Sequence, residues 1–364
     1  MADLIAWETA SQVAKRVARQ QTPLTDYEMK SLEGDFEEMT ARAEELVAAE
    51  TGLRSLVGPA RARVTDRAQW VDANVASFQR LLRPVLTKLA ARAESAGKWS
   101  TVPVQVSRQL AGTEMGLVLG WMSSRVLGQY DQLIIEDERP EDQDMVYYVG
   151  PNIIAVERRY GFAPREFRLW LALHEVTHRA QFTGVPWLRG HFLSLVDRTL
   201  AGIEPDPKQW LNALKRSADT IRSGRNPLDD GGLVTLIAGP DQYAAIQEIG
   251  GMMSLLEGHG DVTMDRAGAD LIPSAPLFSR TLHERRRQRC LARVLSFLIG
   301  MDAKMRQYQQ GERFIAAVEK SGGTELMSRV WEGSQWLPSS AEIRYPERWI
   351  ARVNEEGRPA AVGG

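Results

Sequence analysis

A single cysteine, Cys290, stands in 364 residues. That excludes an internal disulfide framework and suits a reducing compartment. No stretch of about 18 apolar residues occurs, so no membrane-spanning helix is expected. The opening segment, MADLIAWETASQVAKRVARQ, has neither an uninterrupted apolar centre nor a small-residue cleavage pattern, so no secretory leader is expected. Charge of one sign is missing too: the net charge of −2 supplies no field to attract nucleic acid or an anionic membrane. These absences predict a cytoplasmic protein with neither nucleic acid nor membrane as partner. Hydrophobic content of 43% and charged content of 25% are ordinary for a globular chain with a large core.

Histidine is scarce, with five in the chain, yet two of them stand four apart in LWLALHEVTHRAQFTG. On a helix, residues four apart project from one face, one turn above the other. His174 and His178 can thus hold one zinc ion, with Glu175 within reach of a water on that metal. Pro164 is placed as a first-turn proline. Phe167, Trp170, Leu171 and Phe182 recur at helical spacing, and Gly184 followed by Pro186 supplies a stop. The pattern predicts a helix over 164–183.

A catalytic zinc site needs a third protein ligand and a position left open for water. The extended pattern HExxHxxGxxH does not supply it, because Gln181 stands at its glycine and Gly184 at its last histidine. The candidate stretch is DQYAAIQEIGGMMSLLEGHGDVTMD, Asp241 to Asp265. Glu257 and Asp261 share a helix face there, with His259 pointing roughly the other way. Such a pair can place the glutamate on the metal and the aspartate behind a ligating histidine, on its free ring N–H. Glu257 is the expected ligand and Asp261 the supporting residue, with His259 or Asp261 as alternative ligands. Gly258 and Gly260 allow close approach of the two helices.

Elsewhere the sequence reads as mainly α with a small β-sheet, an α+β chain. Residues 1–100 are expected to form a helical region packing on a core built by 101–364, with one continuous domain as the alternative. Helical spacing runs through 4–19 and 32–50, and Thr65-Asp66 resemble a cap for a helix carrying Trp70 to Leu82. Gly112, Gly116, Gly120, Ser124 and Gly128 recur every four residues. Glycine inside a helix costs about 1 kcal/mol against alanine, so the stripe implies a closely packed neighbour. The metal helix is one candidate; a tight crossing with no bearing on chemistry is the other. Strands are expected at 132–135 and 145–156, separated by EDERPEDQD, the second able to pair with an extended peptide along an edge. Helices are expected at 187–200 and 208–221, a loop at 223–232 and a lid or plain connection at 268–279.

Several further residues admit a chemical and a plainer reading. Tyr130, Tyr147 and Tyr148 are candidates for stabilising charge on a carbonyl oxygen, with packing as the default. His191 reads as a core or surface histidine before a donor. The basic run around His283 reads as a solvated face, and Cys290 as inert.

HEVTHRAQF, SLLEGHGDVTMD, VLGQYDQ, MDAKMRQYQQGERFIAAVE and LPSSAEIRYPERWIARV together resemble a bacterial family of zincin-like metallopeptidases. Genome annotation also attaches that family to biosynthesis of a deazaflavin redox coenzyme. The resemblance implies a zincin-like metal-site core surrounded by additional helices. HExxH with a distant ExxxD is also similar to the gluzincin peptidases, although the 79 positions between His178 and Glu257 make a long separation. The residues thus predict a zinc-dependent hydrolase acting on a peptide or protein, with Zn²⁺ as cofactor and Glu175 as catalytic base. The other reading is a non-catalytic zincin-like binding or scaffold protein whose zinc is structural or holds a ligand.

Overall fold

The computed structural model describes residues 4–19, 24–95, 104–130, 144–201, 240–286 and 309–356. It is mainly helical with one small sheet. The expected helix at 208–221, the loop at 223–232, the strand at 132–135 and Cys290 all lie outside the described residues.

The chain begins with α1 (Trp7–Ala18) and α2 (Asp26–Thr51). The second starts at a reciprocal cap: the Thr25 hydroxyl accepts from the Glu28 N–H, and the Glu28 carboxylate accepts from the Thr25 N–H. It ends where Gly52 turns left-handed, at φ 71°. Strand β1 (Arg61–Thr65) follows, and then α3 (Arg67–Ser95), capped by Asp66 accepting from the Gln69 N–H. The cap was legible. The strand before it was not, so the expectation of a wholly helical first hundred residues is corrected: RARVT carries two arginines and only one strongly apolar residue.

Helix α4 (Val104–Ser123) leads into β2 (Gly128–Tyr130), and β3 (Met145–Val149) runs directly into α5 (Gly150–Tyr160). The expected strand over 145–156 therefore ends seven residues early. Gly150-Pro151 puts a proline in the first helical turn, and the apolar residues that follow belong to a buried helix. The sheet order is β1-β3-β2, with β1 parallel to β3 and β2 antiparallel to it. Strand β3 is thus central, with both edges paired, and cannot take an extended peptide along its side.

The rest is helical: α6 (Pro164–Gly184), α7 (Leu188–Ala201), α8 (Pro240–Ala267), α9 (Ala275–Arg286) and α10 (Gln309–Ser328, kinked at Gly322-Gly323). Two 3-10 turns at 329–331 and 334–336 then lead to α11 (Ser340–Arg344) and α12 (Pro346–Glu356). No helix among the described residues is long and apolar enough to cross a membrane.

Helix α6 is the axis of the molecule. It packs on α2, α8, α7 and the sheet, and nearly every residue from Phe167 to Phe182 is buried. Two buried arginines fix it to its neighbours. Arg168 pairs with Glu157 of α5 and Asp35 of α2. Arg179 pairs with Asp144 at 2.5 Å and Glu44 at 2.6 Å, and donates to the Gly58 carbonyl. A paired buried charge is weak as a source of stability but demanding in geometry, so these contacts define where α6 lies.

At the rim of this core two segments that admitted alternative readings take their places. The glycine stripe of α4 faces α1 and not the metal helix: a Cβ at Gly116 would stand 2.5 Å from the Ala10 carbonyl oxygen, and one at Gly120 2.6 Å from Val17 Cβ. Residues 268–279 have the local form of a connection. They turn into α9, whose buried Phe278 packs edge-on against Phe167 and Trp170. A second apolar cluster joins Leu255 of α8 to Phe314, Val318, Ile343 and Trp349 of the C-terminal helices.

Candidate metal centre

Helical spacing places His174 and His178 one turn apart on the α6 face that meets α8. Their rings lie 4.7 Å apart, nearly perpendicular. From α8, the two Glu257 oxygens stand 3.6 Å from His178 Nε2 and 4.0 Å from His174 Nε2. One donor atom from each of the three residues falls within a mutual 4.8 Å. A tetrahedral zinc ion about 2.1 Å from each donor needs donors about 3.4 Å apart. Two imidazoles and one carboxylate are a borderline-soft donor set suited to zinc, so the residues present fit a divalent metal ion.

Glycines line α8 where it crosses its neighbours, but the expectation that Gly258 and Gly260 both bring it close to α6 is corrected: Gly260 is at ordinary contact distance and Gly258 faces α10. A Cβ at Gly260 would lie 3.5 Å from His178 Cε1 and 3.6 Å from His174 Nδ1, so both rings rest against this turn of α8. On the other side, a Cβ at Gly258 would stand 2.6 Å from the Gly311 Cα of α10.

Asp261, one turn beyond Glu257, has an oxygen 3.7 Å from His174 Nδ1, the ring nitrogen turned away from Glu257. His259 goes elsewhere. Its Nδ1 lies 3.0 Å from the Gln181 side-chain nitrogen, and its ring packs edge-on against Trp331 at 5.0 Å. Burial lowers the pKa of His259 to about 4, and His178 and Arg266 add to the effect. Of the three downstream candidates, then, the structure brings Glu257 to the paired histidines, Asp261 beside one of them, and His259 to a separate pocket.

Glu175 is buried beside β2. Its carboxylate accepts a hydrogen bond from the Tyr130 backbone N–H at 3.2 Å. The N–H of Val149 donates to the Leu127 carbonyl, so antiparallel alternation turns the Tyr130 N–H away from β3 and toward α6. Gly128, next on that face, leaves the room Glu175 occupies: a Cβ there would lie 2.6 Å from Glu175 Oε1. The last member of the four-residue glycine spacing belongs to this strand, and it alone touches the site.

The tyrosine candidates are engaged in other contacts. Burial and the neighbouring Asp144 carboxylate, which its hydroxyl bonds, raise the Tyr130 phenol. Burial likewise raises Tyr148, whose hydroxyl bonds Thr40 at 2.8 Å and whose ring stacks on Phe36. Tyr147 packs with Met145 on the other face of β3. His191 lies edge-on to Trp187, and burial lowers its pKa.

Gln181 went unassigned in the sequence. Its side chain lies between His178 and His259, with its oxygen 3.0 Å from His178 Nδ1. The available signal was its position, at the glycine of the extended zinc motif.

Comparison with known proteins agrees with this geometry. A family model described as zincin-like metallopeptidase matches residues 5–350. The crystal structure of a candidate hydrolase with a novel fold from Chloroflexus aurantiacus is similar to the chain at a TM-score of 0.73 and 32% sequence identity. The match covers 96% of this chain and 99% of that one. No curated protein matches.

Proposed function

The chain belongs to the zincin-like metallopeptidase family, and from that premise we propose that it is a zinc-dependent hydrolase of peptide bonds in a peptide or protein. The observation that carries the proposal is the meeting of His174, His178 and Glu257, with Glu175 on the helix that carries the two histidines. His174 and His178 would hold the ion through Nε2 and Glu257 through its carboxylate. Zinc at such a site supplies a Lewis acid for a substrate carbonyl and lowers the pKa of a bound water toward about 7.

The protein's own contribution is to place a base and keep it in place. Glu175 takes a proton from the attacking water and delivers it to the departing amine nitrogen. The Tyr130 N–H holds one Glu175 oxygen, so the carboxylate is oriented before substrate arrives. Asp261 faces His174 Nδ1, where a carboxylate strengthens the ring as a ligand. The structural-zinc alternative calls for a fourth protein ligand. Neither sequence candidate supports it, since His259 is turned to Gln181 and Asp261 stands behind His174.

The test is turnover of an unstructured protein such as casein by the zinc-loaded chain and by Glu175→Gln. Loss of the base should lower turnover about 10²- to 10⁴-fold while zinc stays bound. Equal turnover by both, or no turnover by the zinc-loaded wild type across a varied peptide library, would contradict the proposal.

A further inference from the structure

Gln181 is fully buried, and both ends of its amide are engaged. Its Oε1 lies 3.0 Å from His178 Nδ1, and its Nε2 lies 3.0 Å from the Leu256 carbonyl oxygen and 3.0 Å from His259 Nδ1. The donor and acceptor roles follow from one fixed point. A backbone carbonyl only accepts, so the amide must turn its NH₂ toward Leu256 and its oxygen toward His178. That oxygen also only accepts, so the proton of the His178 ring must sit on Nδ1. A metal-binding imidazole carries one N–H, which leaves the Nε2 lone pair free. Nε2 is the atom that faces Glu257.

We propose that Gln181 is a positioning residue: it fixes the tautomer and ring angle of His178 for the metal and, through Leu256 and His259, holds the two metal-bearing helices in register. The proposal rests on the reading that the site holds a metal. Leu256 precedes Glu257, so the bond to its carbonyl ties the position of the carboxylate ligand to that of the histidine ligand. His259, the third member, is held from behind by Trp331, whose carbonyl accepts from Trp187 Nε1 at 2.9 Å. The two histidines are therefore oriented by different means. His174 has a carboxylate from the facing helix, and His178 an amide from its own. A glycine at position 181 would leave His178 Nδ1 without this acceptor.

Two measurements on the 364-residue chain test it. The first is the imidazole ¹⁵N spectrum of metal-free, ¹⁵N-histidine-labelled protein, with His178 identified as the signal missing from His178→Ala. Five histidines keep that spectrum sparse. The wild type should show the proton on Nδ1, and Gln181→Met should move population toward Nε2–H, the form free imidazole prefers. The second is zinc affinity by competition with a chromophoric chelator. Gln181→Met should weaken it about 10- to 100-fold, with folding of the metal-free proteins checked by circular dichroism. An Nε2–H tautomer for His178 in the wild type would overturn the proposal, as would Gln181→Met binding zinc as tightly as wild type. Should Gln181→Met fail to fold, the wild-type spectrum alone decides. A wild-type chain that takes up no zinc overturns the metal reading and this proposal together. Zinc binding that is indifferent to Gln181 overturns only the latter.

Discussion

Two of the helix contacts in this protein that run over glycine make an instructive pair, for they use it differently. Where α4 meets α1, Gly116 and Gly120 sit against Ala10, Val13 and Val17, and the contact holds no ionisable group of the site. Where α8 meets α6, Gly260 lies under two histidine rings, and the turns on either side of it carry Glu257 and Asp261. The first contact is a seal. In the second, the glycine turn rests at ordinary contact distance against the groups that would bind metal. Four-residue small spacing therefore reports close approach and says nothing of purpose; what occupies the neighbouring positions decides that.

Gly128 tests where the seal ends and the site begins. It continues the α4 spacing but lies in β2, against the tip of Glu175. Gly128→Ala should displace that flexible carboxylate and lower turnover about 100-fold, with zinc content and melting temperature unchanged. A fully active Gly128→Ala would show that Glu175 needs no help from the strand.

The next largest effects separate the two contacts directly. A methyl group at Gly116 or at Gly258 meets backbone, which cannot swing aside, and each substitution should cost about 1–3 kcal/mol by denaturant unfolding. Gly258→Ala should also weaken zinc binding, because it pushes the Glu257 turn away from α10. Gly116→Ala should leave zinc binding alone. Equal effects of both on zinc would erase the distinction between seal and site.

A smaller effect is expected where α11 docks on α8. Ser340 donates to the Gln247 carbonyl, and Gly250 lies beneath it. Ser339 and Glu342 form the cap that starts this short helix. Burial of the Glu342 carboxyl favours protonation, but hydrogen bonds from Arg352 and the Ser339 N–H outweigh it and lower the pKa from 4.5. A depressed folded-state pKa contributes stability that is complete above the unfolded value and is lost as pH falls through the folded one. Glu342→Gln should therefore cost about 1 kcal/mol at pH 7, and the gap to wild type should close on acidification below about pH 4.5. A gap that widens in acid would contradict that sign. Smallest of all is Gly260→Ala. Its Cβ meets only ordinary contact distances, so zinc binding should hold and stability should change by no more than about 1 kcal/mol.

Legibility in the sequence followed the range of the interactions concerned. Helix α6 and the direction of His259 relative to Glu257 could be read because 3.6-residue periodicity is local. The cap at Asp66 could be read for the same reason. Strand β1 could not, since its pairing with β3 is parallel and distant, and the alternation of Ala62 and Val64 with polar residues is too short and too weakly apolar to stand out. The end of β3 was hidden in a run of Val, Ile and Tyr that serves a buried strand and a buried helix equally. The partner of the α4 stripe and the placement of Gln181 were out of reach for one shared reason. Each depends on which distant element lies opposite, and spacing within a segment does not encode that.

The central claim is that His174, His178 and Glu257 form one metal-binding unit, and metal analysis of the purified protein tests it most directly. After zinc loading and removal of excess metal, wild type should retain about one zinc per chain, as a site of two histidines and one carboxylate requires. His174→Ala combined with His178→Ala should retain none, and Glu257→Gln should hold it far more weakly. A wild type with no zinc, or a double variant with as much as wild type, would contradict the account.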